Sequence, residues 1–191
     1  MIRIVIGVQG GKGSFSEEAA IKFTEDHKIS DYQIKFLISS VDVLSSIELK
    51  KIDYGIFAME NAQGGVVLES VKAMAKFRCK IVNMFHITVS QNLLVLPGTR
   101  KEDISAIHSH RQALRQCKDY LANNFWSCPL VEEDDTAEAA RRLSEGALDS
   151  SVAVIGSKFC SQLYDLNVLK SDIHDLKHNL TLFLAVKNIE S

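Results

Sequence analysis

Apolar residues in this chain fall into short β-branched runs, separated by stretches in which they recur at helical spacing. Ile2 to Val8 reads as a buried strand. Ser14 to Asp26 reads as a helix: Ser14 or Ser16 caps it, Glu17 and Glu18 suit its positive end, and Ala19, Ala20 and Phe23 form one face. Gln33 to Ile38 and Tyr54 to Met59 are expected strands, and Val41 to Lys50 and Val66 to Phe77 expected helices. The alternation βαβαβα predicts a largely parallel sheet with helices packed on it.

The second half repeats the style with other lengths. Strands are expected at Lys80 to Val89, Asn92 to Leu96, Ser105 to His108, Phe125 to Val131, Ser151 to Ile155 and Thr181 to Val186. Helices are expected at His110 to Asn123, at Thr136 to Leu148 and from Gly156. No low-complexity linker and no short-period repeat divides the chain. Two similar α/β lobes joined by strand crossings are predicted. The first takes roughly residues 1–79 plus 158–191, and the second residues 80–157.

Composition narrows the class. With 191 residues and 46% hydrophobic content the chain has material for a real core. A net charge of -2, with no basic tail or lysine block, argues against nucleic acid as the partner. The four cysteines are far apart and form no CxxC pair, so reduced thiols are expected. The apolar run at the N-terminus is too short for a signal peptide core or a membrane span. A cytoplasmic protein without membrane partners follows.

In open α/β sheets, ligands bind beyond the carboxyl ends of the strands. Gln9 to Ser14, Glu60 to Gly65, Ser109-His110 and Asp135-Thr136 each follow a strand, and each leads into a helix. Helix starts present free N–H groups, which suit a carboxylate or phosphate. The first loop is neither GxGxxG nor a Walker A motif, because Gly13 and not Ser or Thr follows Lys12. His108 with His110, and His174 with His178, have no third ligand placed by spacing, so neither pair predicts a metal site. Adjacent Ser109 and His110 do not face each other as a catalytic pair would, and Cys117 reads as core. No cofactor is expected.

The order of the motifs is more specific than any one of them. Gly13-Ser-Phe-Ser-Glu-Glu-Ala-Ala20, Glu60-Asn61-Ala62 with Gly65, Ser109-His-Arg-Gln-Ala-Leu114 with Gln116-Cys117, Asp135-Thr-Ala-Glu-Ala-Ala140 and Asn179-Leu-Thr-Leu-Phe183 follow one another along the chain. In that order they resemble the GTFS, ENS, SHPQAL, STA and N-x-TRF motifs of the prephenate dehydratase family. The resemblance implies a two-lobed fold with a cleft, similar to periplasmic binding proteins. It also implies conversion of prephenate to phenylpyruvate with loss of water and CO2, a step of phenylalanine biosynthesis. It assigns departure of the hydroxyl to Thr181, and substrate binding to Asn61, Ser109, Gln112, Thr136, Ala137, Asn179 and Phe183. It implies a homodimer with a small dianion as substrate. Most members continue into a phenylalanine-sensing ACT domain. This chain ends at Ser191, so a chain without that feedback is expected.

Three positions depart from the motifs. Leu182 stands where the family has the Arg of TRF, Ala62 where it has the Ser of ENS, and Asp135 where it has the Ser of STA. Losing a hydrogen bond to a charged group costs about 1.5–3 kcal/mol. Arg111, Lys12 or Lys177 could supply the missing charge. A diverged member, either a prephenate decarboxylase or a non-catalytic binder of small anions, is the alternative. Thr181 favours dehydration, since a decarboxylase must avoid helping the hydroxyl leave.

Overall fold

A computed structural model describes residues 3–190. In chain order its elements are β1 (Ile4–Gln9), α1 (Phe15–Asp26), β2 (Tyr32–Leu37), α2 (Ser40–Glu48), β3 (Tyr54–Asn61), β4 (Gly65–Val66), α3 (Leu68–Lys76), β5 (Lys80–Thr88) and β6 (Asn92–Val95). A single 3-10 turn (Lys101–Asp103) precedes β7 (Ala106–His110), α4 (Arg111–Gln116), α5 (Lys118–Asn124), β8 (Leu130–Glu133) and α6 (Thr136–Ser144). The chain closes with β9 (Val152–Gly156), α7 (Lys158–Leu163), β10 (Asn167–Lys170) and β11 (Leu180–Lys187). Ile2, the expected start of the first strand, lies outside the described residues.

Two units result. The first runs to Thr88 and resumes at Leu180, and the second is Val89–Asn179. The crossings therefore lie well beyond the positions near residues 79 and 158 that the pattern suggested. The reason is strand pairing: β5 is held by β11 along its whole length, while β10 belongs to the second unit's sheet through β6.

In the first unit the strand order is β2-β1-β3-β11-β5, with β4 paired to β3. The β1–β2 and β1–β3 pairs are parallel, as expected, but β11 runs antiparallel to both β3 and β5. One face packs on α1 through Ala19, Ala20 and Phe23, against Ile6, Val8, Ile56 and Phe183. The other face packs on α2 through Val43, Leu44 and Ile47. Gly7 and Gly55 are register partners on β1 and β3. A Cβ on Gly55 would stand 2.6 Å from Val43 Cγ1, so the bare backbone is what lets α2 lie on the sheet.

In the second unit the order is β10-β6-β9-β7-β8. Central β9 is buried at all five residues. Helices α4 and α5 cover one face around Leu93, Ile107 and Ile155, and α6 and α7 cover the other around Leu94, Val152 and Val154. The helix expected over residues 110–123 is broken at Cys117 (φ -115°, ψ 19°). There the Gln116 carbonyl accepts the Asp175 N–H at 2.7 Å, so it is committed to a partner outside the helix. The strand expected at 125–131 begins only at Leu130. Phe125 still bonds back to Leu121 O, and Pro129 has no N–H for the ladder. Strand β10 was not expected at all. It is four residues long and carries a register shift between Val168 and Lys170, which hides the alternation of a strand.

Candidate functional site

The first unit brings Asn61 and Thr181 together. They are register partners on antiparallel β3 and β11. Asn61 Nδ2 donates to Thr181 Oγ1 at 2.8 Å. The amide orientation is set from its other end, where Asn61 Oδ1 accepts from Gln63 N at 3.1 Å and Gly64 N at 2.7 Å. This is an Asx-type closure of the loop between β3 and β4. Thr181 is buried, at 6% exposure. Since its oxygen accepts from Asn61, its own proton is left to donate, and among the described residues no group accepts it.

The loop after β1 lies at the same sheet end, because β1 and β3 are parallel neighbours. Gly10 and Gly13 hold positive φ there, at 94° and 88°. Glu17 Oε2 accepts the Gly13 N–H at 2.6 Å while Ser14 Oγ accepts the Glu17 N–H. The start of α1 is thus closed by its own side chains. Lys12 is exposed in this loop.

In the second unit, Ser109 is fully buried on β7 and donates to Ile155 O at 2.9 Å. Gln112 lies in the first turn of α4, its N–H donated to His110 Nδ1. Asn179, fully buried, donates from Nδ2 to Gln116 Oε1 at 3.3 Å, and Gln91 Nε2 donates to the same oxygen at 3.0 Å. Buried His174 joins this group by accepting the Gln91 N–H at Nδ1. Thr136 opens α6. Asp135 caps that helix, its Oδ1 accepting from Ala137 N at 2.8 Å and Glu138 N at 3.0 Å. The substituted Asp135 therefore occupies the free amides at the start of α6.

Two of the expected substrate-binding residues lie in the core. Phe183 is 1% exposed and stacks on Phe85 at 6.3 Å. Ala137 is 2% exposed beneath α6, and its N–H is spent on Asp135. Among the described residues, no three His, Cys, Asp or Glu side chains are grouped to hold a metal. His108 is instead tied to Glu133 at 2.7 Å, and Glu133 also accepts from Arg142 at 2.6 Å.

The comparison with known proteins rests on nearly the whole chain. The model of the prephenate dehydratase family matches residues 6–191. The chain belongs to the prephenate dehydratase family. The prephenate dehydratase of Methanocaldococcus jannaschii is 32% identical over 92% of this chain and 61% of its own length. The crystal structure of prephenate dehydratase from Arthrobacter aurescens, in complex with L-Phe, superposes with a TM-score of 0.85 at 22% identity. That match covers 97% of this chain and 60% of the other. A methionine-bound nutrient-binding protein from Burkholderia cenocepacia shares the fold more distantly. Its TM-score is 0.52 at 15% identity, over 96% of this chain and 84% of its own. The fold is thus a mixed α/β architecture with two sheets, shared with that binding protein. The chain spans about half the length of the curated relatives it matches.

Two of the three departures, Asp135 and Leu182, take physical form in the structure. Leu182 lies on the face of β11 opposite Thr181, since Phe183 and Leu184 alternate between the two cores. The candidate replacement cations all have partners of their own. Lys177 Nζ donates to Asp172 O and His174 O, and Arg111 approaches Glu132. Sequence reasoning met Gln116 inside a quoted motif and His174 only as half of a pair not expected to bind metal, and it passed over Gln91, which gave no local signal.

Proposed function

We propose that the chain is the catalytic part of a prephenate dehydratase, acting on prephenate with the hydroxyl of Thr181. The observation that carries this is the polarity of the Asn61–Thr181 bond. A hydroxyl that accepts from a fixed amide keeps its own proton to donate, and the oxygen that must leave is the acceptor this reading gives it. As the ring C–O bond lengthens, the departing oxygen gains charge and accepts a hydrogen bond from Thr181. The ring carboxylate leaves as CO2, and its bonding pair enters the ring, which becomes aromatic. One proton from solvent completes the water. No cofactor is needed, because the reaction is driven by aromatisation.

The carboxylates need donors or a cation. We assign this to Ser109, Gln112, Thr136 and Asn179 as polar contacts, with Lys12 in place of the missing Arg. Lys12 is exposed beyond β1, at the sheet end that carries Asn61. Phe183 and Ala137 serve by holding β11 and α6 in place. A homodimer in the cytoplasm is the setting we propose. Four free thiols suit a reducing compartment, and light scattering tests the dimer. No helix among the described residues is long and apolar enough to cross a membrane.

The test is the purified chain with prephenate, read by the ultraviolet absorption of phenylpyruvate. An aromatic product supports the proposal. Binding without turnover, or loss of prephenate without an aromatic product, refutes it.

A further inference from the structure

In the second unit, α4, α5 and the edge strand β8 surround a cavity of about 600 Å³. This is the size range of small-ligand sites. Its floor is apolar, formed by Leu114, Leu121 and Phe125. Three cations, Arg111 and Arg115 on α4 and Lys118 at the start of α5, line it against one acid, Glu132. Arg111 reaches Glu132 only at 3.8 Å, with both side chains more than half exposed. Among the described residues, the side chains of Arg115 and Lys118 make no hydrogen bond or ion pair. Trp126, the only tryptophan of the chain, lines the same cavity and is 85% exposed.

We propose that this cavity binds a small organic anion with a flat apolar body, such as an aromatic carboxylate. The body lies against Trp126 and the apolar floor, and the charge lies between Arg115 and Lys118. A large exposed aromatic beside two unpaired cations supplies both halves of such recognition. A second copy of this chain is the poorer occupant, because two-fold pairing would set the cationic side of the cavity near its own counterpart. None of these side chains belongs to the catalytic set proposed above, so this inference stands or falls separately.

The single tryptophan makes the test direct. The whole chain is titrated with 3-phenylpropionate and, as neutral control, 3-phenylpropionamide, following Trp126 fluorescence. The acid is expected to give a saturable change and the amide at least tenfold weaker binding. Arg115→Gln with Lys118→Gln should weaken the acid at least tenfold while the urea midpoint stays put. Three results overturn the proposal: equal affinity for acid and amide, undiminished binding by the double variant, or no saturation up to millimolar acid. A Trp126 signal that responds only to protein concentration, or only to an acidic peptide, overturns it in favour of a macromolecular partner.

Discussion

Asn61 donates to Thr181 Oγ1 across the β3–β11 ladder at 2.8 Å, and its own orientation is fixed by the amides of Gln63 and Gly64. The chain of bonds has one direction. Loop amides give to Asn61, Asn61 gives to Thr181, and among the described residues nothing accepts the Thr181 proton.

Asn61 is accordingly a positioning residue in this account. Asn61→Asp replaces the donor with an acceptor and reverses the bond, so that Thr181 gives its proton to the carboxylate. We expect kcat to fall about 100-fold or more, the order found when one aimed donor is lost, with KM changing much less. The kcat and KM values of the two proteins check this. Equal losses in both would point to a merely structural role.

Asp135 should oppose the substrate while stabilising α6. Asp135→Ser keeps a cap but removes the charge, and KM for prephenate should fall roughly tenfold, equivalent to about 1.4 kcal/mol, with stability nearly unchanged. Asp135→Ala removes the cap as well and should cost about 1 kcal/mol in urea unfolding. Unchanged KM in the Ser variant would mean that the carboxylate does not meet the substrate.

The carbonyl of the Gln116 side chain serves two buried donors, Gln91 Nε2 and Asn179 Nδ2. Gln116→Leu removes it from both, and the loss of a buried acceptor costs about 1–3 kcal/mol. Calorimetric melting should show a lowered Tm. Because Asn179 lies two residues from Thr181, turnover should fall with it.

Local signals account for what the sequence reveals. Glycine turns, helix caps and β-branched runs identified the strands β1, β3 and β11 and the start of α1, since each depends on neighbours in the chain. The boundary between the units depends on which strand β5 and β10 pair with, and pairing partners lie far off in sequence. The same distance hid the group of Gln91, Gln116 and His174. Phe183 and Ala137 were grouped with the binding residues because a motif mixes positions that meet a ligand with positions that hold the strand or helix beneath it. Asp135 was legible as an intruding acid, but not as the cap of its own helix.

Burial pushes the Cys117 thiol up to about 12, with Asp175 adding to the shift. The unfolded thiol ionises near 9. Between these values the unfolded chain releases a proton that the folded chain keeps, so stability should fall as pH rises from about 9 toward 12. Below 9 this group contributes no slope. Cys117→Ala should flatten that alkaline limb in urea titrations, though it costs some packing. In the native protein, iodoacetamide should reach half-buried Cys79 and Cys128 before Cys117. Fast labelling of Cys117, read by mass spectrometry, would contradict its placement.

The central claim is that the Thr181 hydroxyl assists departure of the prephenate hydroxyl. Its most direct test is the initial rate of phenylpyruvate formation by the unmodified chain, by Thr181→Ser and by Thr181→Ala, under saturating prephenate. The account predicts an aromatic product from the unmodified chain and a rate within about tenfold for Thr181→Ser, which keeps the hydroxyl. It predicts a loss of about 100-fold or more for Thr181→Ala, which removes the donor. Phenylpyruvate formed equally fast by Thr181→Ala, or not formed by the unmodified chain at all, would contradict it.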